Sequence, residues 1–256
     1  MDLGARHRAA QRGLWRSLGE HTPGGSVVER PGGVMAAIVP ARPERSIFNG
    51  AMYDDPNALL AARDELDAAY RAAGVHAWTV WVRPGDERIG AELERAGHVL
   101  DGRPMIMGAA LGELDLEPRI ELELDPAPTW ETVARLNDAA YGIDPAQGFV
   151  DALGRWEDPL ARAYVALVDG EPACGMGVRV EEGCVDVLFV ATPPGLRGRG
   201  LASELMRRAL RDARAEGAVT TVLEASALGE PVYARMGYCS CGRLSMYELR
   251  RDPRTL

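Results

Sequence analysis

Two glycines separated by one residue lie among arginines in the run Arg197-Gly198-Arg199-Gly200-Leu201-Ala202. A strand-like run precedes this segment and a helical pattern follows it, so the glycines let the backbone approach a bulky anion closely. The first free N–H groups of the helix point at such an anion and add the positive end of the helix dipole. Arg197 and Arg199 supply charge for a diphosphate. The segment is therefore predicted to be a phosphate-binding turn.

Two other nucleotide-binding loops fit this turn less well. A dinucleotide fingerprint could use Gly198, Gly200 and Ser203, with Glu224 as a ribose-binding acid after the next strand. However, residues 192–196 separate the preceding strand from the first glycine, and the strands before the turn have the pattern of antiparallel hairpins. A Walker A loop requires lysine, and every basic side chain here is arginine. The same absence excludes Schiff-base chemistry on a lysine.

The hydropathy pattern predicts the elements that position the turn. Asp169-Gly170 and Glu182-Gly183 separate three apolar runs, which predicts antiparallel hairpins. The element order from residue 119 onward is β-α-α-β-β-β-α-β-α-β, an α/β (α+β) arrangement. Strands are predicted at 119–124, 163–168, 173–180, 184–191, 219–225 and through 246–247, and helices at 129–142, 145–156, from 200, and at 229–237.

Two motifs on this framework resemble a known family. The run LFVATPPGLRGRGLASELMRRAL resembles the coenzyme A signature of the GNAT superfamily of N-acetyltransferases, whose pattern R/Q-x-x-G-x-G/A is here Arg197-x-x-Gly200-x-Ala202. The segment from Tyr233 to Tyr238 is similar to the family's Y-x-x-x-G-F/Y element, and the element order also agrees. The resemblance covers roughly residues 118–250.

The resemblance implies acetyl-coenzyme A, or another acyl-coenzyme A, as the donor. Backbone groups of Leu188, Phe189 and Val190 would pair with the pantetheine arm like an added strand, and the N–H of Val190 would face the thioester oxygen. The residues expected to hold the diphosphate are Arg197, Gly198, Arg199, Gly200, Leu201 and Ala202.

The resemblance also implies catalytic roles. Tyr233 occupies the family position of the general acid that protonates the coenzyme A sulfur, and a phenol with a pKa of about 10 is roughly matched to a thiol near 8.5. Asp186 interrupts an apolar strand where some members carry a carboxylate base, with Glu224 or a water chain as substitutes. Alternatively, Tyr233 is a core tyrosine and Asp186 a hydrogen-bonded acid that ties neighbouring strands together.

Three aromatic side chains are candidates for contact with the acceptor. Tyr141, Phe149 and Trp156 lie on the helical segment that commonly borders the acceptor in this family. Such aromatic residues also pack in cores, so a structural role is the alternative.

The first half of the chain repeats part of the second. Residues 91–107 align with residues 231–247 without a gap, and four identities result: Arg95 with Arg235, Gly97 with Gly237, Gly102 with Gly242, and Arg103 with Arg243. The match indicates an internal duplication. Leu93 takes the position of Tyr233, and the first half lacks the glycine-rich turn. We therefore expect two GNAT-like domains, each a mixed, mostly antiparallel sheet flanked by helices. Residues 1–115 are expected to form a degenerate copy that buttresses the second and walls the acceptor cleft, and residues 116–256 the catalytic domain.

Composition limits the partners. A net charge of −9 argues against nucleic acid and is compatible with a cationic small-molecule amine as the acceptor. No apolar run could span a bilayer or serve as a signal peptide, so we expect a cytoplasmic protein without a membrane partner, as a monomer or a homodimer. The four cysteines and four histidines lack metal-ligand spacing, so no metal is expected. Alternative functions are a non-catalytic coenzyme A-binding sensor or scaffold, a longer acyl donor, or a protein acceptor.

Overall fold

A computed structural model describes residues 2–252, and these residues form two compact units. The N-terminal unit comprises residues 12–104 and 242–252, and the C-terminal unit comprises residues 2–11 and 105–241. Each unit contains one mixed sheet with flanking helices, as the sequence predicts.

The chain begins with helix α1 (Leu3–His21), whose first nine residues belong to the C-terminal unit. The N-terminal unit then forms strands and helices up to residue 102. These are β1 (Ser26–Arg30), β2 (Val34–Ile38), β3 (Gly50–Met52), α2 (Pro56–Ala72), β4 (Ala77–Val82), α3 (Glu87–Arg95) and β5 (Val99–Gly102).

The remaining elements follow in chain order. They are β6 (Met105–Ala110), β7 (Glu123–Leu124), α4 (Trp130–Tyr141), α5 (Val150–Leu153), β8 (Ala161–Val168), β9 (Glu171–Glu181), β10 (Cys184–Ala191), α6 (Leu201–Ala215), β11 (Thr220–Ala225), α7 (Glu230–Met236), β12 (Cys239–Arg243) and β13 (Ser245–Arg250). Single turns of 3₁₀ helix occur at Leu111–Glu113, Pro145–Gln147 and Pro194–Leu196.

The strand order shows that each sheet takes a strand from the other half of the sequence. The N-terminal unit has the order β1-β2-β3-β4-β13-β5, and the C-terminal unit has the order β12-β6-β11-β10-β9-β8-β7. Strand β6 pairs antiparallel with β11, and β13 pairs antiparallel with β4 and β5. A division between residues 115 and 116 therefore does not coincide with the compact units. The two sheets have thus exchanged strands β6 and β13. The repeat permits this exchange, because it aligns β6 with β13 and each strand can take the corresponding position in the other sheet.

The predicted hairpins of the C-terminal unit are confirmed. Strand β9 pairs antiparallel with both β8 and β10, while β10 runs parallel to β11. Both residues of the Asp169-Gly170 turn have positive φ angles, 54° and 78°, and so do both residues of Glu182-Gly183, at 47° and 70°. This is the conformation that a tight two-residue hairpin requires. The side chain of Thr129 caps α4 by accepting a hydrogen bond from the N–H of Thr132.

Two predicted elements are shorter in the structure. The strand predicted over 119–124 is reduced to β7, because the N–H of Arg119 donates to Glu204 of α6 at 2.9 Å instead of entering the sheet. The helix predicted over 145–156 is divided between the 3₁₀ turn at Pro145–Gln147 and α5.

The two faces of the C-terminal sheet have different surroundings. Val185 and Val187 pack in the main core with the apolar side of α6. Alternation along the strand places Cys184 and Asp186 on the opposite face, where Ala10 of α1 packs against Cys184. No helix within residues 2–252 has the length and apolar character needed to cross a bilayer.

Candidate active site

The glycine turn connects β10 to α6, as predicted. Gly198 and Gly200 have φ angles of 78° and 80°, a left-handed conformation that glycine adopts without strain. Gly200 is the N-cap of α6, and no side chain caps the helix there. Arg199 is exposed and has no hydrogen bond or ion pair within residues 2–252. The turn thus presents backbone N–H donors and one unengaged guanidinium to an anion.

Arg197 is engaged within the fold. Its Nε donates to the carbonyl of Thr192 at 3.0 Å, and its Nη2 donates to the carbonyl of Ala140 at 2.6 Å. These bonds tie the turn to the end of α4. A contact between Arg197 and a diphosphate stays a prediction.

A bulge interrupts β10 directly before the turn. Phe189 has a φ of 52°, and the register with β9 shifts between Leu188 and Ala191. Pairing between β10 and β11 ends at Val187 and Leu223. The backbone of residues 188–190 is therefore unpaired on the β11 side, in the segment where the resemblance implies contact with pantetheine. A bulge of this kind redirects backbone groups and is typical of functional sites.

The turn and the bulge share one cleft of about 440 Å³. Among the predicted site residues it is lined by Tyr141, Val190, Tyr233 and the whole segment 197–202. Sequence reasoning missed several lining residues, namely Ser226, Leu228, Gly229, Val232 and Arg235. Helical spacing from Tyr233 was a usable signal for one of them, because Gly229 lies four residues before it.

Tyr233 borders this cleft from α7 and is 8% exposed. Burial raises the pKa of its phenol, and the neighbouring Tyr141 and Cys174 add to the rise. The phenol therefore stays protonated at neutral pH. Tyr233 can serve as a hydrogen-bond and proton donor inside the cleft.

Asp186 lies outside the cleft lining. It is 7% exposed and faces Arg179 across the β9–β10 pair. Burial raises the pKa of its carboxyl to about 7; the positive influence of His7 and Arg179 opposes this rise, and Glu224 adds to it. Its role as the general base stays a prediction.

The three predicted acceptor residues have different environments. Tyr141 is 58% exposed and lines the cleft. The ring of Phe149 contacts that of Phe189 edge to face, with centroids 6.3 Å apart. Trp156 is 2% exposed and packs on Trp130, 4.7 Å between centroids, so it is a core residue and does not line the cleft.

A polar cluster from α1 was not predicted. Nε2 of His7 and Nε2 of Gln11 both contact Oε1 of Glu224, at 3.0 Å and 2.8 Å. A carboxylate only accepts, so both groups donate. Glu224 was considered in the sequence, but His7 and Gln11 had no local signal because they lie more than 200 residues away.

The corresponding part of the N-terminal unit has a different structure. The side chain of Asp55 caps α2 by accepting from the N–H of Asn57, and the N–H groups of Asp54 and Asp55 donate to the carbonyl of Gly32. Leu93, which corresponds to Tyr233, is fully buried. An acidic side chain thus caps the N-terminus of α2, whereas the N-terminus of α6 in the C-terminal unit has no side-chain cap and presents free N–H donors.

We found no group of three His, Cys, Asp or Glu side chains arranged to hold a metal ion in residues 2–252.

Comparison with known proteins finds one family match, which lies within the C-terminal unit. A family model described as the acetyltransferase (GNAT) family matches residues 130–238. None of the curated proteins matches the chain in sequence.

Solved structures share the fold of the chain. A GCN5-related N-acetyltransferase from Kribbella flavida has a TM-score of 0.68 at 17% identity, covering 96% of this chain and 95% of that one. A functionally unknown conserved protein from Staphylococcus epidermidis ATCC 12228 has a TM-score of 0.68 at 12% identity, with coverages of 89% and 94%. A tandem GNAT protein from the clavulanic acid biosynthesis pathway has a TM-score of 0.54 at 15% identity, with coverages of 85% and 78%. At these identities the similarity concerns the fold alone.

Proposed function

We propose that this chain, which carries a GNAT acetyltransferase domain over residues 130–238, moves an acetyl group from acetyl-coenzyme A to the amine of a small molecule by direct transfer in a ternary complex. The observation that carries the proposal is a single cleft that joins the bulged end of β10, the uncapped start of α6 and Tyr233.

These three features fit the parts of the donor. The unpaired backbone at residues 188–190 suits the amide-rich pantetheine arm, which can pair with it like a strand. The N–H groups of residues 199–202, with Arg199, suit the diphosphate. The exposed Arg235 also lines the cleft and adds positive charge.

The donor supplies an activated thioester carbonyl. The N–H of Val190 donates to the carbonyl oxygen as negative charge develops there. A neutral amine forms the new N–C bond, and the C–S bond breaks. Tyr233 gives its proton to the departing sulfur and regains one from solvent. An acceptor that arrives as an ammonium ion loses two protons in total. One is matched by the proton that the coenzyme A thiol gains, and the other is released to solvent.

The acceptor is proposed to be a small amine, and the protein a cytoplasmic enzyme. The net charge of −9 supports a cationic acceptor and disfavours nucleic acid.

Calorimetry with coenzyme A, followed by detection of free thiol from acetyl-coenzyme A across amines, amino acids and antibiotics, tests the proposal. We expect binding and acceptor-dependent thiol release. Binding without release by any acceptor would favour a non-catalytic sensor. No binding at all would remove the proposal.

A further inference from the structure

A carboxylate lies at the point where β10 and β11 separate. Glu224 directly follows Leu223, the last residue of β11 that pairs with β10. Leu223 and Ala225 pack in the core with α6, so alternation along the strand places the Glu224 side chain on the opposite face. Ser226, two residues further along, lines the cleft. Glu224 itself does not line the cleft, but it lies two residues before Ser226, beside the point where β10 and β11 separate, so an acceptor that approached a thioester carbonyl at the bulge from this face of the sheet would pass close to it.

Two buried side chains of α1 hold this carboxylate in place. His7 is 2% exposed and Gln11 is 6% exposed, and both donate to Oε1. The side chain of Glu224 itself is 27% exposed. Its second oxygen, Oε2, has no hydrogen-bond partner within the described part of the chain. One oxygen is thus fixed by the protein, and the other stays available to a ligand.

A second observation indicates that His7 does more than fill space in the core. Its Nδ1 is buried and has no hydrogen-bond partner among the described residues. A buried ring nitrogen left without a partner costs free energy. A leucine or a methionine at this position of α1 would avoid that cost but could not hold Glu224.

The charges around Glu224 favour the binding of a cation at this carboxylate. Asp186 faces it from β10, His7 faces it from α1, and β6 presents the apolar Ile106 opposite it. Arg179 on β9 is held by Asp158 at 2.7 Å and Glu181 at 2.6 Å. Arg6 of α1, which lines the same small cavity as Asp186, donates to the carbonyl of Glu182 at 3.2 Å. With both guanidinium groups bound elsewhere in the fold, the two neighbouring carboxylates favour an arriving positive charge.

Asp186 is the less suitable member of this pair for direct contact with an acceptor. It is more buried than Glu224, and it belongs to the part of β10 that still pairs with β9 and β11. The neighbouring small cavity of about 20 Å³ that Asp186 lines is too narrow for an amine substrate.

We propose that Glu224 binds the ammonium group of the acceptor and takes its proton before the N–C bond forms, with His7 and Gln11 as positioning residues. The acceptor class is then a small molecule with an aliphatic amine that is protonated at neutral pH. This inference rests on the proposed acetyl transfer. In the step, the N–H bond of the ammonium breaks, the proton passes to Oε2 of Glu224, and the lone pair that remains on nitrogen forms the N–C bond with the carbonyl carbon. The C–S bond then breaks, the sulfur takes the proton of Tyr233, the second N–H proton leaves the nitrogen to restore the charge balance, and Glu224 releases its proton to solvent.

The test compares Glu224→Gln with Glu123→Gln. Both replace a glutamate by its isostere, but Glu123 is exposed on β7, separated from β11 by β10, β9 and β8. We expect Glu224→Gln to lower kcat/KM for a primary alkylamine by about a hundredfold or more, because general base catalysis contributes on that order. The effect on an aromatic amine such as aniline, which is neutral at pH 7, should be much smaller. The Kd of coenzyme A and the Tm should match those of Glu123→Gln.

The positioning role of His7 is tested with two substitutions of this residue. His7→Leu removes the donor, so the acidic limb of the pH–rate profile should move to higher pH, because the charged carboxylate has lost a hydrogen bond. His7→Gln keeps an N–H donor and should restore part of the profile. A purely structural role for His7 would lower the Tm in both variants without moving the profile.

The outcomes separate this inference from the proposed function. If the native protein transfers acetyl groups and Glu224→Gln stays within twofold of Glu123→Gln, Glu224 is not the base and only this inference fails. Loss of activity in Asp186→Asn alone would overturn it equally. If Glu224→Gln unfolds, Glu224→Asp keeps the charge on a shorter side chain and should show the same selective loss. A native protein that releases no thiol with any amine removes both proposals.

Discussion

Tyr233 rests against Gly229, one helical turn before it, so closely that a Cβ on Gly229 would lie 2.8 Å from Cε2 and 3.4 Å from the hydroxyl oxygen of Tyr233. Both residues line the cleft. The absence of a side chain at residue 229 thus sets the position of the phenol.

The first prediction concerns this contact. Gly229→Ala should displace the phenol and lower kcat by about 10- to 100-fold, because small misplacements of a catalytic group have effects of this size. The φ of Gly229 is −80°, so the backbone itself accepts alanine. Gly112→Ala is the control, because a Cβ there meets nothing within 4 Å. Steady-state kinetics with unchanged coenzyme A affinity is the measurement. Equal rates for the two variants would disprove the positional role.

The second prediction concerns the phenol itself. Tyr233→Phe should lower kcat by about a hundredfold, since the departing sulfur loses its proton donor, with the Kd of coenzyme A nearly unchanged. The matched control is Tyr238→Phe, which also removes a hydroxyl, one that bonds to Thr221 at 2.9 Å. That control should lower stability by about 1 kcal/mol and leave the rate intact. Unchanged rates of Tyr233→Phe across a pH series would remove its acid role.

The third prediction separates the two arginines of the turn. Arg199→Gln should raise the Kd of coenzyme A by about tenfold, the value of a charged hydrogen bond to phosphate, and the effect should shrink at high salt. Its Tm should not change, since Arg199 has no partner within residues 2–252. Arg197→Gln should lower the Tm, because it breaks bonds to the carbonyls of Thr192 and Ala140. Calorimetry and thermal melts measure both. The reverse pattern would contradict the assignment.

The fourth prediction follows from the strand exchange. A fragment of residues 116–256 lacks β6, which lies between β12 and β11, and it lacks His7 and Gln11. We expect it not to fold alone, as judged by circular dichroism and size-exclusion chromatography. Coexpression with residues 1–115 should restore folding, because that fragment supplies β6. An isolated fragment that turned over like the intact chain would show that β6 is dispensable.

The fifth prediction concerns pH and stability. Burial raises the pKa of Asp186 to about 7, so between the ordinary aspartate pKa and pH 7 the native state binds the proton more tightly than the unfolded state. Stability contributed by the protonated form is therefore lost as the pH rises through about 7. Asn does not ionise, so the Asp186→Asn variant does not lose this stability. The Tm of the variant minus the Tm of the native protein should therefore increase from pH 5 to pH 8. Each kcal/mol corresponds to about 2–4 °C. A constant Tm difference would contradict the shift.

Local chemistry allowed much of the site to be predicted from the sequence. The turn at Gly198 and Gly200, the hairpins and the cap at Thr129 depend on residues a few positions apart, so their patterns are visible in the chain itself. The turn was predicted from its glycines and the elements around them, and Tyr233 from the family resemblance, and both line the cleft.

Only the tertiary structure decided which strands complete which sheet and which groups face the reacting region. Strands β6 and β13 occupy aligned positions in the repeat and offer the same backbone hydrogen-bonding groups, so no local pattern shows that they exchange places. The contact of His7 with Glu224 joins residues far apart in sequence, and the burial of Asp186 depends on elements packed from several directions. Hydrogen bonds and burial between distant segments arise only when the whole chain folds, and a single sequence carries no periodic signal for them.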